Sequence, residues 1–83
     1  MSTDDTLRTV TEIAVAETGL PAAELTPDAD LRAMAGVDSV RVLRMIARIE
    51  RTYDIELEDE DVFGTATLAQ VAVVVDRALR DAA

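Results

Sequence analysis

The sequence predicts a small all-α protein: a four-helix bundle of three longer helices and one short third helix, with a long loop between the first and second. Three observations point there. Apolar residues recur at three- and four-residue intervals in three stretches, the spacing of one helix face. Strand signals are weak, because the chain has one Tyr, one Phe and no Trp and shows no sustained alternation. Gly and Pro, the strongest stop signals, fall between the periodic stretches.

The first helix is expected from about Asp4 to Thr18, with Thr3 or Asp4 as its cap and acids suited to the dipole near its start. Leu7, Val10, Ile13 and Ala14 form its core face, and Gly19 and Pro21 stop it. The connection from Gly19 to about Asp38 is broken by Pro21, Pro27 and Gly36. A loop this long in a small domain is often functional. Leu20, Leu25, Leu31 and Met34 are the residues expected to pin it to the bundle.

The second helix is expected from Ser39 to about Tyr53. On a helical wheel Val42, Leu43, Met45, Ile46, Ala47, Ile49 and Tyr53 share the apolar side, and Glu50 falls near it. Arg41, Arg44, Arg48 and Arg51 form a stripe opposite, with Val40 at its border. The acids from Asp54 to Asp61 suit the start of a short helix through Val62 and Phe63, closed by Gly64. Thr67-Leu68-Ala69-Gln70 has the pattern of a capping box opening the last helix. Leu68, Val71, Ala72, Val75, Ala78 and Leu79 continue its apolar face.

With 83 residues the chain is expected to be one domain, 1–83, with one modest core. Cys and His are both absent. Disulfides, thiol catalysis, Cys-based metal sites and the commonest general base are therefore excluded. The acidic run lacks the spacing and internal Gly of an EF-hand, so no metal site is expected. Seventeen acids against eight bases, all of them Arg, give a net charge of −9. Nucleic acid is a poor partner for such a surface. A hydrophobic content of 49% argues against disorder. The start, Met1-Ser2-Thr3-Asp4-Asp5, lacks the charge and apolar run of a signal peptide, and no stretch approaches membrane-spanning length. A cytoplasmic monomer without membrane contact is the expectation.

Gly36-Val37-Asp38-Ser39-Val40 carries the most information. Gly permits a tight turn, and the Asp-Ser pair then opens a helix. The Ser39 hydroxyl sits where free backbone N–H groups and the positive dipole end converge, an environment that favours a phosphate ester. Taken alone, Asp38 and Ser39 read more readily as ordinary N-caps, where Ser and Asp lead anyway. Neither residue has Glu or Gln three positions on, so a capping box does not account for the pair.

From Leu25 to Leu79 the chain resembles the acyl carrier proteins. The resemblance rests on Gly36-Val37-Asp38-Ser39-Val40 at the start of the second helix and Tyr53 near its end. It extends to the run Leu57-Glu58-Asp59-Glu60 and to Thr67-Leu68 opening the last helix. It implies that a phosphopantetheinyl transferase, using coenzyme A and Mg²⁺, attaches 4′-phosphopantetheine to Ser39, with Asp38 and Gly36 in support. The thiol of that arm then holds an acyl group as a thioester, so the domain needs no Cys and no catalytic residue of its own. An acyltransferase, ketosynthase or acyl/aminoacyl ligase is the implied pathway partner. A peptidyl or aminoacyl carrier is the near alternative, although Asp38 before the Ser favours an acyl carrier. A non-carrier helical interaction module is the more distant one.

Two departures from the family pattern stand out. Val40 replaces the usual Leu. The exposed positions of the second helix, usually acidic, are Arg41, Arg44, Arg48 and Arg51. With Glu50 the helix carries +3, leaving −12 on the rest of the chain. Either the stripe is a solvated face, pairing with acids 54–61, or it docks partners with acidic or mixed surfaces. The second reading suggests a dedicated polyketide, fatty-acid-like or other secondary-metabolite pathway.

Overall fold

The computed structural model describes residues 3–82, with Phe63 described by its backbone alone. Four α-helices follow one another: α1 (Thr3–Thr18), α2 (Ser39–Tyr53), α3 (Asp59–Phe63) and α4 (Leu68–Ala82). No strand occurs among the described residues. The expected class and element order are therefore observed, with two differences in detail. Thr3 and Asp4 lie inside α1 rather than capping it. The long loop also contains a 3₁₀ turn at Leu31–Ala33, whose cap Asp30 accepts a hydrogen bond from Arg32 N at 2.9 Å.

Helix α1 packs chiefly on α4 and also on α2, while α3 lies against α4. The three long helices bury one stripe each. Val10, Ala14, Ile49, Leu68, Ala72 and Val75 have no residual exposure. Burying a Val, Leu or Ile side chain contributes roughly 1.5–3 kcal/mol, so these stripes hold the bundle together. Thr6, also fully buried, donates its hydroxyl to Asp76 Oδ1 at 2.6 Å and ties α1 to α4 across the core edge.

The first loop is fastened at both ends of its length. Leu25 and Leu31 are buried in the core, and Leu20 and Met34 pack half-buried against it. Backbone bonds join it to the segment around the start of α4: Leu31 N donates to Ala66 O at 2.9 Å, and Ala69 N to Pro27 O at 3.1 Å. Arg32 Nη2 adds a bond to Thr65 O at 2.8 Å. A segment rich in breakers is thus held by anchors at Leu25 and Leu31 and by backbone pairing, without a long helix of its own.

The caps explain where the helices end. Gly19, with φ 75°, turns the chain after α1, and its N–H returns to Val15 O at 2.9 Å. Helix α2 ends at Asp54, a left-handed residue with φ 54°, where Gly is the usual occupant. Glu50 O accepts from the backbone N–H of both Asp54 and Ile55 there. The Glu50 carboxylate reaches past the helix end to accept from Leu57 N at 2.9 Å, which accounts for an acid so near the apolar face. The capping box of α4 is reciprocal: Gln70 N donates to Thr67 Oγ1, and Gln70 Oε1 accepts from Thr67 N, both at 3.2 Å. Ala66 N adds a third bond to Gln70 Oε1 at 2.6 Å.

The wheel of α2 needs one correction. Met45, Ile46 and Ile49 are buried and Val42 and Tyr53 partly so, but Leu43 and Ala47 face outward. Leu43 is 57% exposed. The apolar arc is wider than the surface its neighbours cover, and periodicity alone does not say which edge is left open.

Candidate functional site

The chain reaches α2 through a turn that only a few residues permit. Gly36 has φ 84°, and a Cβ placed on it would meet nothing within 4 Å. The requirement is therefore backbone conformation rather than space. Val37, half-buried against the core, anchors the turn. Asp38 is extended (φ −113°, ψ 176°) and caps the helix: its Oδ1 accepts from Arg41 N at 2.8 Å, and its carbonyl accepts from Val42 N at 3.0 Å.

Asp38 is the cap, so Ser39 is not. Ser39 is the first helical residue of α2 and is exposed. The first N–H groups of a helix have no intrahelical partner. With Arg41 N taken by Asp38, the N–H groups of Ser39 and Val40 are left at the helix tip where Ser39 stands. This is a tip suited to a phosphate oxygen.

Behind that tip lies a cavity of about 750 Å³, within the range of small-molecule pockets. Asp38, Ser39, Val42, Leu43, Met45 and Ile46 line it from the α2 side. Leu31, Val62, Ala66 and Val71 line it from the loop, α3 and the start of α4. Its lining is mostly apolar. No local pattern signals this cavity, since its walls come from the first loop, α2, α3 and the start of α4 together. Arg32 also lines it, and its one local signal in the sequence is the Asp30 turn that precedes it.

The four Arg residues of the stripe do not behave alike. Arg41 Nη1 donates to Glu17 O at 2.9 Å, and Arg48 Nη1 contacts Glu17 Oε1 at 3.3 Å, so both are tied to the end of α1. Arg44 and Arg51 are exposed and make no ion pair within 4.0 Å among the described residues. Pairing of the stripe with acids 54–61 is not observed there; the ion pair made by that run joins Asp61 to Arg77 of α4 at 4.0 Å. Among the described residues, no three Asp or Glu side chains gather as a metal would require. No described helix is long and apolar enough to cross a membrane.

A helical bundle that displays a hydroxyl on a polarised helix tip, with an apolar cavity behind it, has the form of a carrier domain. The family model for the phosphopantetheine attachment site matches residues 8–74. The chain belongs to this family, a carrier domain whose members bear covalently attached 4′-phosphopantetheine. The match runs from Arg8 in α1 into the first half of α4, and thus takes in the whole frame around Ser39. Domains of this kind are generally carriers rather than catalysts.

Proposed function

We propose that the protein is an acyl carrier: Ser39 holds the phosphopantetheine arm, whose thiol bears an acyl intermediate as a thioester, in a dedicated polyketide, fatty-acid-like or other secondary-metabolite pathway. The observation that carries the assignment of the residue is the division of labour at the head of α2. Asp38 performs the capping, which leaves the Ser39 hydroxyl exposed and without a structural task.

On loading, the Ser39 oxygen forms the new P–O bond, its proton passes to a base of the transferase, and the pyrophosphate link of coenzyme A breaks to release the nucleotide part. The N–H groups of Ser39 and Val40 support the ester phosphate. Gly36 sets the turn that presents the hydroxyl, and Asp38 holds the first turn rigid. The apolar lining from Val42, Met45, Ile46 and Val62 supports an acyl rather than a charged aminoacyl cargo, since burying an unpaired charge is costly. When bound, the arm supplies the thiol that the chain lacks.

Incubation with coenzyme A, Mg²⁺ and a broad-specificity phosphopantetheinyl transferase, followed by intact mass measurement, tests this. The wild-type chain gains one arm and Ser39→Ala gains none. A wild-type chain left unmodified by several transferases, or an Ser39→Ala chain that still gains the arm, overturns the assignment.

A further inference from the structure

The cavity behind Ser39 is apolar over most of its wall, yet Arg32 borders it and is the one cation among the described lining residues. The other polar side chains of the lining have tasks of their own. Asp38 Oδ1 accepts from Arg41 N at 2.8 Å, the Thr65 hydroxyl donates to Val62 O at 2.7 Å, and Ser39 is the proposed attachment point. Arg32 is held at both ends. Its backbone N–H is bonded to Asp30 Oδ1 at 2.9 Å, and its neighbour Leu31 is buried in the core. Its Nη2 donates to Thr65 O at 2.8 Å. The side chain thus reaches from the first loop to the connection between α3 and α4, which fixes the guanidinium at the cavity rim. A guanidinium has five N–H donors in one plane and serves several acceptors at once.

Bracing alone is a poor account of this arginine. Leu31 N bonded to Ala66 O at 2.9 Å and Ala69 N to Pro27 O at 3.1 Å already join the same two segments through the backbone. Ordering a long side chain costs rotamer entropy, which a single bond at an exposed site scarcely offsets. A cation at the rim of an apolar pocket gains nothing from hydrocarbon, and it repels an ammonium group. A carbonyl or carboxylate oxygen placed there accepts a charge-assisted hydrogen bond, one of the stronger kinds a protein makes.

We infer that Arg32 is a specificity residue: it selects acyl cargo that carries a carbonyl or carboxylate oxygen along its chain over a saturated chain of the same length. The inference rests on the carrier reading, because it takes an arm on Ser39 to bring cargo to this cavity. The alkyl part of the cargo lies against Val42, Ile46 and Val62, and its oxygen meets the guanidinium at the rim. The pocket therefore reads two properties at once, apolar bulk through its walls and an oxygen acceptor through Arg32. An aminoacyl group fails on both, since its ammonium finds neither an apolar match nor an acceptor at this rim.

The test loads the chain from three coenzyme A thioesters of equal chain length: a β-ketoacyl, a terminally carboxylated acyl and a saturated acyl. Hydroxylamine then cleaves each thioester, and its rate is divided by the rate for the same cargo on free pantetheine, which leaves the shelter given by the protein. The wild type shelters the two oxygenated cargoes about fivefold more than the saturated one. Arg32→Leu removes that difference, and Arg32→Lys keeps part of it. A preference confined to one of the two oxygenated cargoes also supports the inference and names the group that is read. Equal shelter of all three cargoes by the wild type overturns it, whatever the variants do. A loss of shelter in Arg32→Leu that is the same for all three shows a strut alone and overturns it as well. In both of those outcomes the arm is still loaded, so the carrier reading stands. A wild-type chain that takes no arm from any of the three removes the carrier reading and the Arg32 inference together.

Discussion

Replacing Asp38 by Ala removes the acceptor of the 2.8 Å bond from Arg41 N and leaves that N–H to water. Loss of an N-cap side chain costs about 1 kcal/mol. Loss of the negative charge beside the helix start adds about 0.3–0.5 kcal/mol at an exposed site. For an 83-residue chain, an unfolding entropy of about 2.1 cal/mol/K per residue gives roughly 170 cal/mol/K, so the midpoint falls by about 8–9 °C. Asp38→Asn keeps the capping oxygen and loses only the charge, so its fall is about 2–3 °C. Ser39→Ala touches neither and stays within about 3 °C of wild type, the range of ordinary surface substitutions. Thermal unfolding followed by circular dichroism at 222 nm measures all three. A drop for Ser39→Ala equal to that for Asp38→Ala would refute the reasoning, because Ser39 would then be a structural cap and its hydroxyl would not be spare.

Three further substitutions probe the frame around the site. Gly36→Ala forces a Cβ onto φ 84° and destabilises by about 1–2 kcal/mol, with slower arm loading because the turn before Ser39 is strained; urea denaturation and loading kinetics read the two effects. Asp54→Gly relieves the left-handed conformation at φ 54° and raises stability by about 0.5–1 kcal/mol in the same urea titration. Tyr53→Phe removes a hydroxyl that is buried without a partner among the described residues, and is therefore neutral or stabilising by up to about 1 kcal/mol.

Features encoded locally were legible in the sequence. The bounds of α2 at Ser39 and Tyr53, the reciprocal Thr67–Gln70 cap and the Gly36 turn each depend on a few neighbouring residues. The anchoring role of Leu25 and Leu31 followed from their being apolar in a segment that must still cover the core. What the sequence hid is long-range. Thr6 meets Asp76 across seventy positions, and Arg41 and Arg48 meet Glu17 across twenty-four and thirty-one. No periodicity reports such pairings. The 3₁₀ turn at Leu31–Ala33 is too short to show a face, and its only mark was Asp30. Leu43 and Ala47 are apolar and so fall on the core side of a helical wheel, yet burial depends on what packs opposite, and both are exposed among the described residues.

The most direct measurement is where the arm resides after loading. The chain has two serines, Ser2 and Ser39, and cleavage after Arg32 and Arg41 isolates residues 33–41, with Ser39 as the only hydroxyl side chain in that fragment. Tandem mass spectrometry of the loaded protein is expected to find the phosphopantetheine mass on this peptide alone. Its presence on any other fragment would contradict the assignment of Ser39.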